Sequence, residues 1–232
     1  YQRKYFIDPV DYIDHFIFVS KFSRDKHIEF DNRYSTKSSH LYNFTDVRNE
    51  KTTVEKDNYF LFFGRLSEEK GLLTLLNVAK KLKLNLKIAG TGPLEAEVMR
   101  SAALNENIEF MGYQSGNDLA KIIQSASFII VPSEWYENNP MTVIESYAYG
   151  IPVIGARIGG IPEIVIENKT GFLFESRNED DLTMAIEKAR RLSFAEYSNL
   201  SQNAREFAER NFSSGGHYQA LMEIYSKVLK NG

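Results

Sequence analysis

The sequence predicts an α/β fold in which a parallel β-sheet carries helices on both faces and a helical segment covers its C-terminal end. Three features carry this prediction. From Tyr59 onward short β-rich runs alternate with helical patterns, the runs are continuously apolar, and the pattern turns mainly helical after Phe174. Continuous apolar strands belong to a sheet buried on both faces, whereas alternation would mark one face in water.

Taken in order, the runs 59–63, 86–89, 108–111, 128–131 and 152–154 read as strands, with helices at 72–82, 94–103, 118–124 and 141–149 between them. A further run at 172–174 precedes helices at 179–192, 194–210 and 217–229. Acidic residues after Asn178 read as the favourable N-terminus of the first of these rather than as a metal site. Ahead of Asp57 the pattern differs: a strand-like run at 16–20, a helix from Phe22, then a polar stretch to Asp57. A lone βα unit cannot bury both faces of its strand. Residues 1–45 are therefore expected to be the last βα unit of a larger upstream domain with its linker, and 46–232 the main domain.

Hydrophobic residues at 43% and charged residues at 25% of 232 positions belong to a soluble globular protein. Lys and Arg number 28 against 31 Asp and Glu, a net charge of -3 with no block of like charge, so nucleic acid is not an expected partner. The absence of Cys excludes disulfides, thiolate zinc sites and cysteine nucleophiles, and it fits a reducing, cytoplasmic compartment. His15, His27, His40 and His217 lack metal-ligand spacing, and no metal is expected. No apolar run approaches the ~20 residues of a spanning helix. The chain starts at Tyr1 rather than Met, which leaves an upstream signal or anchor, and membrane association with it, open.

In parallel sheets ligands bind outside the carboxyl ends of the strands, so the loops after Phe63, Ala89, Met111 and Val131 hold the candidate chemistry. The richest runs from Pro132 to Gly150. Asn139 before Pro140 reads as a helix N-cap with proline at the first helical position, and Gly150 suits the position past the helix end. Amides at Met141, Thr142 and Val143, with the positive end of the helix dipole, make an anion site. Glu137 precedes this helix and Glu145 lies inside it, so both carboxylates can approach one crevice and accept from hydroxyls. Glu145 stands in a mostly apolar helix and needs donors to offset its desolvation, which ribose or sugar hydroxyls supply. Read alone, either glutamate is equally well a capping or a solvated carboxylate.

In the loop after Phe63, Gly64 ends a strand and Arg65 and Lys70 flank the turn to Gly71. A planar guanidinium and a compact ammonium together suit a diphosphate, while pairing with Glu68 and Glu69 on the surface is the commoner arrangement. Gly90-Thr-Gly-Pro93 resembles the start of a dinucleotide fingerprint, but the third glycine position is Glu95, so a nicotinamide or flavin cofactor is not expected. Gly90 and Gly92 read instead as a tight turn or a close approach to ligand. Gly112 and Tyr113 are placed to edge a flat base. Arg157 and the Gly159-Gly-Ile-Pro-Glu163 loop are expected near the same edge, and Trp135 is expected to pack beside it.

Together these stretches resemble the C-terminal domain of retaining GT-B glycosyltransferases of family four, through Gly64-Arg65, Lys70-Gly71, Gly90-Thr-Gly-Pro93, Gly112-Tyr113, Glu137-x7-Glu145 with Asn-Pro-Met-Thr, Gly150-Ile-Pro-Val and Gly159-Gly-Ile-Pro-Glu163. The resemblance runs from about Tyr59 to the C-terminus, and 16–20 with Tyr42-Asn43-Phe-Thr-Asp46 look like the family's last N-terminal βα unit and crossing linker. It implies a Rossmann-like sheet that binds a nucleotide sugar such as a UDP- or GDP-sugar. Arg65 and Lys70 would meet the diphosphate, Glu145 the ribose, Glu137 the transferred sugar, the amides of Asn139 to Thr142 around Pro140 and Met141 the phosphate and sugar, and Gly112 and Tyr113 the base. It also implies metal-independent transfer to an acceptor hydroxyl with retention, in polysaccharide biosynthesis. The acceptor, a glycan or glycolipid, belongs to an N-terminal domain most of which this chain is expected to lack, so that alone it binds nucleotide but transfers little sugar. An epimerase or phosphorylase of the same fold, or a non-catalytic nucleotide- or partner-binding module, are the competing readings.

Overall fold

The structure, a computed structural model, describes residues 8–46 and 58–231. The linker expected over 47–57 lies outside the described residues.

The N-terminal segment comprises helix α1 (Pro9–Tyr12), strand β1 (Phe16–Phe18), helix α2 (Lys21–Phe30), a 3-10 turn at Asn32–Ser35 and strand β2 (Ser38–His40). β1 and β2 pair in parallel as a two-stranded sheet. The second strand falls in the stretch read as polar linker. Ser38-Ser-His40 has no apolar pattern to announce it, and only its pairing with β1 makes it a strand.

The main domain follows as β3 (Phe60–Phe63), a 3-10 turn (Glu68–Lys70), α3 (Leu72–Leu82), β4 (Leu86–Ala89), α4 (Glu95–Leu104), β5 (Ile108–Gly112), α5 (Gly116–Ser125), β6 (Phe128–Val131) and α6 (Met141–Ala148). Then come β7 (Val153–Ala156), α7 (Ile161–Ile164), β8 (Gly171–Phe174), α8 (Glu179–Arg190), α9 (Phe194–Asn211) and α10 (Ser214–Asn231). The six strands lie in the order β5-β4-β3-β6-β7-β8, all parallel. This is the expected sheet covered on both faces. β3, β6 and β7 are buried along their whole length, as their unbroken apolar runs require.

Chain order reverses between β3 and β6. Their carboxyl ends therefore open a crevice at the topological switch point, where ligands of such sheets sit. The helical tail closes the domain. Asn178 caps α8 by accepting from the Asp180 and Asp181 amides, and Ser193 with Glu196 forms a capping box on α9.

Candidate functional site

Three loops at the carboxyl edge are zipped together by backbone. Gly64 donates to the Ala89 carbonyl at 3.0 Å, Leu66 to Thr91 at 2.9 Å, and Gly90 to Gly112 at 2.8 Å. Close approach makes glycine necessary here: a Cβ on Gly90 would stand 1.9 Å from the Gly64 carbonyl oxygen, and one on Gly92 2.4 Å from that of Leu66. Of the two readings, tight turn or close approach to ligand, the missing side chains serve a close approach of the neighbouring loop. Gly64, Arg65, Gly90, Gly92 and Tyr113 line a cavity of about 600 Å³. Gly112 holds the wall through its carbonyl. Tyr113 is 70% exposed, so its ring is free to meet a planar group.

Lys70 ends the 3-10 turn, and Gly71 then takes a left-handed conformation. A Cβ on Gly71 would fall 1.8 Å from the Pro132 carbonyl oxygen, and the Glu134 amide donates to the Glu69 carbonyl at 2.9 Å, so the loops after β3 and β6 lie against each other. Lys70 Nζ consequently reaches Glu137 Oε1 at 2.5 Å. Among the described residues Lys70 makes no ion pair with Glu68 or Glu69; Glu69 accepts from the Ser67 hydroxyl instead. Ser133, buried and overlooked in the sequence, donates its hydroxyl to the same Glu137 oxygen at 2.8 Å. Arg65 is exposed and makes no ion pair among the described residues.

Helix α6 begins differently from the sequence expectation. Its N-cap is Pro140, and Asn139 Oδ1 accepts from the Asn43 amide at 2.8 Å rather than from the helix. Asn139 Nδ2 is buried without a hydrogen-bond partner among the described residues. Val143 N is satisfied by the Pro140 carbonyl at 3.1 Å, which removes it from the expected anion site and leaves the Met141 and Thr142 amides without an acceptor among the described residues. Gly150 does follow the helix end in left-handed conformation, donating to Tyr147.

Glu145 lies half-buried in a second cavity of about 270 Å³ with Thr45, Asp46 and Ala120, and this cavity shares Gly116 and Leu119 with the first. No hydrogen bond or ion pair links Glu145 to Arg65, Lys70 or Glu137 among the described residues. The structure thus joins Lys70 to Glu137, puts Arg65 with the glycines, and sets Glu145 in the adjoining hollow. Trp135, expected to pack beside the site loop, is 66% exposed, with its ring 6.3 Å from that of Tyr136. Arg157 directly follows β7, and its guanidinium pairs with Glu175 at 2.9 Å. A further cavity of about 550 Å³ with Asn58, Lys83 and Arg190 lies at the opposite, amino ends of β3 and β6, and Arg190 is spent there on the Leu82 and Lys83 carbonyls. Among the described residues no His, Cys, Asp and Glu side chains converge as a metal site, and no helix is long and apolar enough to cross a membrane.

Burial pushes the Glu145 carboxyl up from its ordinary value near 4.5. Below that value the group is protonated in both folded and unfolded chains and has no effect. As pH rises through it, the unfolded chain ionises first and the folded state loses stability. Glu145→Gln is therefore expected to match wild type in thermal stability below about pH 4.5 and to exceed it at neutral pH. Melting both proteins across pH checks this, and a gain that appears only in acid has the wrong sign.

Comparison with known proteins adds to this geometry. The profile of the family described as Glycosyl transferases group 1 matches residues 43–207. An uncharacterized glycosyltransferase of Methanocaldococcus jannaschii, MJ1178, is 32% identical over 224 residues, covering 93% of this chain and 60% of that protein. O-antigen chain mannosyltransferase C of Escherichia coli is 29% identical over 180 residues, 75% of this chain and 48% of its own length. The chain therefore spans 60% or less of these relatives. The crystal structure of Anabaena Alr3699/HepE in complex with UDP superposes with a TM-score of 0.83 at 20% identity, over 94% of this chain and 65% of that one, a likeness of fold.

Proposed function

We propose, on the premise that the chain belongs to the Glycosyl transferases group 1 family, that it is the donor-binding portion of a retaining glycosyltransferase that moves a sugar from a nucleotide sugar to an acceptor hydroxyl. The observation that carries this reading is the Lys70–Glu137 pair, 2.5 Å apart, set beside the open N-terminus of α6 at the switch point. A cation and unfilled helix amides suit a diphosphate; a carboxylate next to them suits the hydroxyls of the sugar it carries. Arg65 joins Lys70 on the diphosphate, and the glycine-walled cavity beside it is the place for the nucleoside, with Tyr113 against the base and Glu145 toward the ribose.

In the reaction the anomeric carbon exchanges its bond to phosphate oxygen for one to the acceptor oxygen on the same face, and negative charge grows on the departing diphosphate. Arg65, Lys70 and the Met141 and Thr142 amides stabilise that charge, so a divalent metal is not required. A cytoplasmic setting suits such donors. The acceptor in this reading is a glycan or glycolipid, a class to which the name O-antigen chain mannosyltransferase of one relative points.

A thermal-shift panel of UDP, GDP and ADP with their sugars tests the reading. At a hundredfold excess over Kd the matching nucleotide is expected to raise Tm by about 5 °C or more. A flat response to every nucleotide would refute donor binding by this chain.

A further inference from the structure

We infer that Glu163 is a positioning residue that latches the N-terminal βα segment to the loop carrying Glu137. Ser20 Oγ caps only the Ser23 amide of α2, at 3.0 Å, which leaves the first amides of the helix for another acceptor. Glu163, far along the chain on α7, takes them: its Oε2 accepts from Lys21 N at 2.9 Å and its Oε1 from Phe22 N. Tyr42 adds its hydroxyl to Oε2 at 3.1 Å. Burial, and then the Glu163 charge beside it, push the Tyr42 hydroxyl up, so it stays a donor at neutral pH. One carboxylate thus gathers a helix N-terminus, where negative charge is favoured, and a phenol from the following strand's exit.

The other end of α7 bears on the site. The Gly160 amide donates to the Glu137 carbonyl at 2.6 Å, and a Cβ on Gly159 would stand 2.4 Å from that same oxygen. Glu163 N in turn donates to the Gly160 carbonyl at 3.2 Å. Two independent contacts run alongside this path: the Phe22 and Tyr136 rings lie 5.1 Å apart, and the Asn43 amide holds Asn139 Oδ1. The N-terminal segment therefore touches the 136–139 loop directly and grips the turn beneath it through Glu163. Movement of α2 relative to the main sheet displaces the backbone that sets Glu137 against Lys70. The consequence for donor affinity rests on the function proposed above; the mechanical link does not.

Amide-resolved hydrogen exchange on the folded chain tests the latch. Gly160 N and Asn43 N do not bond Glu163, yet in Glu163→Ala both are expected to exchange about tenfold faster, the loss of charge-assisted bonds being felt locally, while β4 amides keep their rates. Asn107→Ala, which removes bonds to the Ala79 and Leu84 carbonyls on the other side of the sheet, is the control and leaves Gly160 and Asn43 unchanged. Unaltered exchange at Gly160 and Asn43 in folded Glu163→Ala, or an equal rise throughout the chain, overturns the inference. Should that variant not fold, Glu163→Gln and Tyr42→Phe are read by the same criterion. UDP affinity is expected to fall about tenfold in Glu163→Ala. If wild type binds no nucleoside diphosphate while the exchange pattern appears, the latch stands and the donor reading alone fails.

Discussion

On the function proposed above, Lys70→Ala is expected to lower sugar transfer roughly a hundredfold, and Arg65→Ala to do the same, because removing one preorganised donor to a developing oxyanion costs about 3 kcal/mol of barrier. Lys70 is held at the site before any donor arrives, by Glu137 at 2.5 Å, so its charge needs little reorganisation to meet a diphosphate. Glu137 remains bonded to Ser133 when the lysine is gone, and the pair is partly open to water, so stability should change by about 1 kcal/mol or less. That separates a chemical effect from unfolding. Charge that grows on the leaving group is felt in the transition state more than in the bound donor, so the loss should fall on kcat rather than KM. Steady-state kinetics decide: unchanged turnover in both variants, or a loss confined to KM, contradicts the electrostatic role.

What the sequence disclosed depended on whether its cause was local. The strands Leu86–Ala89 and Phe128–Val131 and the helix Leu72–Leu82 coincide with their predicted ranges, because continuous apolar runs and the spacing of Leu72, Leu75, Leu76 and Ala79 report burial directly. β7 starts one residue later than expected, at Val153; Pro152 has no amide to give and enters the sheet only as an acceptor for Ile129. The last helix starts earlier than expected, at Ser214, because Ser213 Oγ accepts from Gly216 N and carries the helix through two poor formers.

Within the site, residue types were legible and their partners were not. A lysine, an arginine and two glutamates at the switch-point loops announce an anion and hydroxyls, but nothing local says that Lys70 pairs with Glu137 instead of Glu68 or Glu69. Asn139 carries every mark of a cap and is diverted by Asn43, a residue that reaches it only through the tertiary fold. Ser133 gave no signal of its own, and Glu163 was legible as the end of the Gly159-Gly-Ile-Pro-Glu163 loop but not by its partners. Each acts through a hydrogen bond whose geometry the fold creates.

Gly64, Gly90 and Gly112 offer the strongest test of that distinction, and Gly90→Ala is expected to be the most damaging of the three. Gly64 and Gly90 share a φ of +145°, a conformation almost reserved for glycine, so alanine strains both alike, by about 1–3 kcal/mol. They differ in what the new methyl meets. At Gly64 nothing lies within 4 Å, whereas at Gly90 the Gly64 carbonyl oxygen is 1.9 Å away and belongs to backbone that the Ala89 and Gly112 hydrogen bonds hold in place. The loops must part, and the loss at Gly90 should exceed that at Gly64 by about 2 kcal/mol or more, which for a domain of this size lowers Tm by about a further 4–8 °C. Gly112, at φ +64° with open space around it, should cost only about 1–2 kcal/mol. Melting the three alanine variants side by side ranks them. Equal losses at Gly64 and Gly90 would mean that φ alone fixes these glycines and that the loop contact, on which the placement of Arg65 over its cavity depends, is not rigid.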